Sequence, residues 1–199
     1  MVNSQSRLNG TQRMVGMAIF TAIIVVLQLV ASLLSRFANF PISLVLVPIV
    51  VGAAVYGPRA GAWFGGVFGA VVLIAVISGL DLGGNILWIA NPFLTLLLCL
   101  VKGIAAGWAA GLIYSVIAKK RPYLGVFAAA IVCPIVNTGI FCLAMALLFR
   151  ETLVEWAGGT EVFYYMIFTL VGINFLIEFV INLILCPTVA RIIRLKEKA

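Results

Sequence analysis

The chain is organised by apolar runs of about the length that crosses a bilayer. A membrane helix needs roughly 20 apolar residues. Six stretches read as such spans: 14–34, 42–56, 60–80, 93–118, 124–149 and 162–190. The second, closed by the turn Gly57-Pro58, is short and reads as tilted or flanked by interfacial structure. Apolar and polar residues do not alternate, and the runs exceed the ~9–11 residues of a barrel strand. Composition agrees, with 64% apolar and 10% charged residues, against about 45–50% and about 25% in a soluble domain. A soluble chain of 199 residues could not bury so much apolar surface and still present a wettable exterior. An ordinary cytosolic enzyme, a disordered regulator and a secreted disulfide scaffold are thereby excluded. The expected fold is an all-α integral membrane protein of the cell membrane. It forms a single six-helix bundle over residues 1–199, with no soluble appendage long enough to fold.

The charges point to topology. The formal balance is +7, and basic residues gather at segment ends. With six spans both termini share one side. That side holds ten basic residues: Arg7, Arg13, Arg59, Lys119, Lys120, Arg121, Arg191, Arg194, Lys196 and Lys198. The opposite loops hold Arg36 and Arg150, together with Asp81, Glu151, Glu155 and Glu161. The positive-inside pattern puts both termini in the cytoplasm and accounts for the basic charge without nucleic acid. The N-terminal MVNSQSRLNGTQR is polar, and the run after it is too long for a signal h-region. Cys99, Cys133, Cys142 and Cys186 all lie within apolar runs, with no CxxC and no histidine. They read as buried small residues, not as disulfides or zinc ligands.

Several residues stand out against this background. Gly61, Gly65 and Gly69 in the third span, and Gly103, Gly107 and Gly111 in the fourth, recur at helical spacing. Such faces let neighbouring backbones approach closely. Ala18 and Ala22 form a smaller face on the first span, suited either to packing within the chain or to a partner protein. Asn174, Glu178 and Asn182 make a polar stripe, joined by Asn137 and Thr138 in the fifth span. A carboxylate at bilayer depth must face protein or water, and the same holds for Lys102. Three readings remain open: a Lys102–Glu178 pair or other interhelical bonding, a polar cavity for a solute, and proton coupling through Glu178. Glu178 lies ~24 Å and Lys102 ~15 Å below the outer ends of their helices, at 1.5 Å per residue. Asn174 and Asn137 are therefore better placed than Glu178 and Asn182 for a ligand arriving from outside.

The outer loops 81–92 and 150–161 combine amides, glycines and Trp88 and Trp156. They suit a lid over a small polar ligand, or else the tryptophans are interfacial belt residues. Pro48, Pro134 and Pro187 should kink or end helices. There is no GxSxG, HExxH, P-loop or pair of intramembrane aspartates. Proteolysis, zinc hydrolysis and autonomous ATP use lack residues to perform them, so the chain is expected not to be an enzyme.

The stretch ISLVLVPIVVGAAVYGPRAGAWFGGVFG, with Pro48, Gly52, Gly57-Pro58, Gly61, Gly65 and Phe68-Gly69, resembles the signature of substrate-binding S components of energy-coupling factor (ECF) vitamin transporters. It looks most like the pantothenate- and folate-type members. The resemblance covers essentially the whole chain. It implies a subunit of an ATP-driven importer that binds a water-soluble vitamin or precursor under its outer loops, with pantothenate first and folate or riboflavin next. It also implies docking through Ala18 and Ala22 on a transmembrane coupling subunit that carries two cytoplasmic ATPases, and toppling in the bilayer to release the ligand. No cofactor or metal is implied. Depth and chemistry select Trp88, Asn91, Lys102, Asn137 and Asn174 as the substrate-binding candidates. An autonomous proton-coupled transporter using Glu178, and a purely structural subunit, are the alternatives.

Overall fold

The computed structural model describes residues 10–38 and 44–196, although the side chains at 35–38, 170, 173–174, 187 and 189–196 lie outside the described set. All regular structure among the described residues is helical: α1 (Gly10–Ala38), α2 (Leu46–Tyr56), α3 (Pro58–Ile77), α4 (Leu82–Ala90), α5 (Pro92–Ile117), α6 (Pro122–Leu147), α7 (Arg150–Ala157), α8 (Val162–Tyr164), a π-helical stretch (Tyr165–Gly172) and α9 (Ile173–Lys196).

Among the described residues four helical segments are long and apolar enough to cross a membrane: Gly10–Leu34, Pro58–Ile77, Pro92–Ile117 and Pro122–Leu147. The second expected span is a helix of only 11 residues, α2, and the sixth is divided by the π-helical stretch. α2 sits inside the bundle. Leu46 through Ala54 are all buried, as befits a helix that is apolar on every side. Its Pro48 stands in the first turn, where a missing N–H removes no helix bond. α1, in contrast, presents Ile19, Ile23, Val26 and Val30 outward, a face suited to acyl chains.

The segments expected to be outer loops are partly helical. Asp81 accepts a bond from the Gly84 N–H at 2.9 Å and starts α4, and Asn91 caps α5 through the Leu94 N–H at 3.1 Å. These side-chain oxygens satisfy amide donors that a helix start leaves unpaired. α7 ends on Gly158, which is left-handed at φ 55°. Pro134 does not end α6; it lies buried within it.

The bundle is joined along α3 and α5, which run antiparallel with their glycine faces in contact. A methyl group on Gly65 would strike the Gly103 carbonyl, and one on Gly103 would strike that of Gly65. Gly61 and Gly107 block each other in the same way, and Gly69 lies against the Cys99 carbonyl. The turn between α2 and α3 is tight enough to need glycine: Gly57 has φ 93°, donates to the Ala53 carbonyl at 2.9 Å and is followed by Pro58, the first residue of α3. An aromatic cluster ties α1 to this corner. Phe20 meets both Tyr56 and Phe64 at 5.9 Å between ring centroids, and Gly52 leaves room for the Phe64 ring.

Gly65→Ala and Gly103→Ala should each force backbones apart, at a cost of about 1–3 kcal/mol, and lower the thermal midpoint of the detergent-purified protein. Gly139→Ala on α6, where nothing lies within 4 Å of the added methyl, should leave the midpoint unchanged or raise it, because alanine is the better helix former.

Candidate functional site

A cavity of about 400 Å³ opens among the helices that the glycine contact brings together. α3 contributes Phe68, Val72 and Val76, and α5 contributes Thr95, Leu98, Cys99 and Lys102. α6 adds Asn137, Thr138 and Phe141, α1 adds Gln28, and Val171, Phe175 and Glu178 come from the last segment. Asp81, Gly83, Gly84 and Leu87 of the α4 region and Trp156 of α7 complete the lining. The volume lies within the range of small-molecule sites, whose lining is mostly apolar with a few placed polar groups.

The covering helix α4 is bonded in place. Asn85 Nδ2 donates to the Val76 carbonyl at 2.9 Å, near the end of α3, where that carbonyl also accepts from the Gly79 N–H at 3.2 Å. Gly84 packs so close to Val76 that a methyl there would overlap it. α4 turns Gly83, Gly84 and Leu87 to the cavity, while Leu82, Ile86 and Ile89 are exposed.

Polar chemistry concentrates deeper. The Lys102 ammonium stands 5.5 Å from the centroid of the Phe141 ring, within the range of a cation–π contact. Gln28 donates from Nε2 to Ser32 Oγ at 3.2 Å, which leaves its buried Oε1 without a partner. Asn137 Oδ1 is also buried and unpartnered. The Thr95 hydroxyl donates to the Asn91 carbonyl at 2.9 Å.

The candidates chosen from sequence separate in space. Lys102 and Asn137 line the cavity together with Thr138, Trp156 and Glu178. Trp88 packs against the buried core of α2, α3 and their neighbours and is not among the lining residues. Asn91 is exposed, and its side chain caps α5. The side chain of Asn174 lies outside the described residues. Asn182 is fully buried and turned onto its own helix, donating from Nδ2 to the Glu178 carbonyl at 2.9 Å and accepting from Cys186 Sγ at 3.5 Å. Gln28 and Ser32 are additions. Their i, i+4 spacing in an apolar span was visible in the sequence, and it is the same signal that singles out Asn174, Glu178 and Asn182.

A second feature lies on the outside of the bundle. Gly10, Arg13, Met14, Met17, Ala18, Thr21, Ala22 and Trp63 border an open groove between α1 and α3. Ala18 and Ala22 are exposed, unlike the glycine faces of α3 and α5. Trp63 is 57% exposed and donates from Nε1 to Thr21 Oγ1 at 3.3 Å. Arg13 reaches across to the Tyr56 carbonyl at 3.2 Å.

An apolar helical bundle with a small, partly polar cavity defines a membrane-embedded subunit that binds a solute. The chain belongs to the ECF transporter substrate-specific component family, whose model matches residues 12–190. No curated protein and no solved structure matches it. Family membership makes it a transport subunit, not an enzyme. It works with ECF transmembrane and ATPase subunits and a small-molecule substrate.

Removing the Asp81 carboxylate should loosen the cover. Asp81→Ala is expected to cost about 1 kcal/mol at the α4 cap and to speed hydrogen exchange of the α4 amides relative to those of α5, while Asp81→Asn preserves the slow exchange.

Proposed function

We propose that this chain is the high-affinity substrate-binding subunit of an ATP-driven ECF importer for a water-soluble vitamin or precursor, with pantothenate the first choice and folate or riboflavin next. The observation that carries this reading is the family match joined to a cavity in which Lys102 and Asn137 stand among apolar walls. In this reading the chain crosses the membrane six times, with both termini in the cytoplasm and α4 and α7 covering the cavity on the outer side. The charge asymmetry of the loops supports that orientation. Ligand enters from outside and meets Lys102 and Asn137, with Asn174 as a further contact. Trp88 and Asn91 act from behind, one by packing and one by capping α5.

Transport then requires an engine supplied by others. The exposed Ala18 and Ala22 face, flanked by Met14, Met17 and Trp63, is the docking surface for the transmembrane coupling subunit. Small residues allow a partner helix to approach closely. ATP hydrolysis in two cytoplasmic ATPases topples the loaded subunit and turns the cavity toward the cytoplasm.

Calorimetry of the purified chain against pantothenate, folate, riboflavin, thiamine and biotin tests the ligand. Binding of none of them removes the vitamin reading. Ala18→Trp and Ala22→Trp should leave ligand affinity intact while abolishing capture by the coupling subunit and uptake in cells, so normal uptake by both variants overturns the docking assignment. Uptake by this chain alone in liposomes, driven by a proton gradient and lost in Glu178→Gln, would replace the importer with a self-sufficient transporter.

A further inference from the structure

The cavity is polarised, and its polarity selects a class of ligand. Three groups carry the argument. Gln28 is 9% exposed and held by Ser32, so that its Oε1 has no partner. Asn137 Oδ1 is buried in the same condition. Lys102 has the Phe141 ring as its neighbour, and among the described residues no carboxylate lies at ion-pair distance from it. All three line the cavity. Each lies ten residues from a helix end, at Ala38 for Gln28, Pro92 for Lys102 and Leu147 for Asn137. At 1.5 Å per residue that is ~15 Å along each helix.

Buried acceptors without donors are costly, and so is a cation without a counterion. The two amide oxygens accept only, and the ammonium donates only. A ligand that answers all three presents an anionic oxygen to Lys102 and N–H or O–H donors to Gln28 and Asn137. One lysine answers one negative charge. A phosphate monoester, with close to two charges, would lack a second cation here. Two acids, Asp81 and Glu178, line the same cavity; the Asp81 carboxylate accepts from the Gly84 N–H.

We infer that the substrate is a small monocarboxylate that carries amide, hydroxyl or ureido donors, seated with its carboxylate on Lys102 and its donors on Gln28 and Asn137. The inference rests on the proposed function, in that it takes this cavity as the substrate site. Gln28 is then a binding residue, with its Nε2 on Ser32 Oγ.

The test uses the full chain purified in detergent and calorimetry with two matched pairs, pantothenate with pantothenol and biotin with biotinamide, plus riboflavin and thiamine. One carboxylate should bind, and its uncharged counterpart should bind about tenfold more weakly or worse, as expected for losing a hydrogen bond to a charged group. Lys102→Met should abolish that preference, so that acid and uncharged counterpart bind alike, and Lys102→Arg should restore it. Gln28→Leu should weaken the carboxylate without lowering the ligand-free thermal midpoint, whereas a structural glutamine would lower it. Equal binding of acid and uncharged partner, or retention of the preference in Lys102→Met, overturns the inference. Tight riboflavin or thiamine binding with no carboxylate bound overturns it while leaving the importer reading intact. Binding of none of the six compounds overturns the inference, and with folate also unbound it removes the vitamin reading.

Discussion

The close contact of α3 and α5 is the constraint on which the rest of the molecule depends. Between helices in a membrane, lipid tails compete with apolar side chains on equal terms, so association relies on van der Waals packing at short range. Gly61, Gly65 and Gly69 against Gly107, Gly103 and Cys99 bring one backbone onto the other. That register has a consequence for the neighbouring face. Phe68, Val72 and Val76 on α3 and Thr95, Cys99 and Lys102 on α5 then border a common space. The cavity therefore follows from a contact made where side chains are missing, next to the positions where they are present.

Polar groups occur at bilayer depth where the bundle gives them something other than lipid. Gln28, Lys102, Asn137 and Glu178 face the cavity, and Asn182 bonds its own helix. At the ends of the helices other polar groups close the backbone. Asp81 and Asn91 cap α4 and α5, and Asn85 ties α4 to α3. Helix ends need acceptors and donors for their own amides and carbonyls, whereas Gln28, Lys102, Asn137 and Glu178 stand within their helices and border the cavity.

That division explains which cavity-lining residues were legible in advance. Lys102, Asn137 and Glu178 are conspicuous because an ionisable or amide side chain within an apolar run is costly unless it faces protein or water. Asn91 and Trp88 looked equally suitable by composition and by nearness to the outer surface. Asn91 precedes Pro92, however, which makes it a helix cap, and Trp88 sits on the core side of α4. The converse omission is Gln28, whose i, i+4 partner Ser32 marks a polar face of α1 as plainly as the stripe on the last helix. The short helices α4 and α7 read as loops because their glycines and acids resemble turn composition. In α4 the Asp81 cap and the close fit of Gly84 on Val76 favour the helix.

By itself the sequence determined that the chain is helical and membrane-embedded, because the length and apolarity of its runs leave bilayer as the only solvent that suits them. It also marked the glycine faces, because small residues at helical spacing have few other uses in such a helix. Only the tertiary structure decided that α2 is an eleven-residue rod buried among its neighbours, that the last helical region is divided by a π-helical stretch, and that Gln28, Lys102 and Asn137 meet around one cavity. The physical reason is that periodicity specifies which residues share a face of one helix, whereas the assignment of that face to lipid, backbone or cavity depends on neighbours far away in the chain.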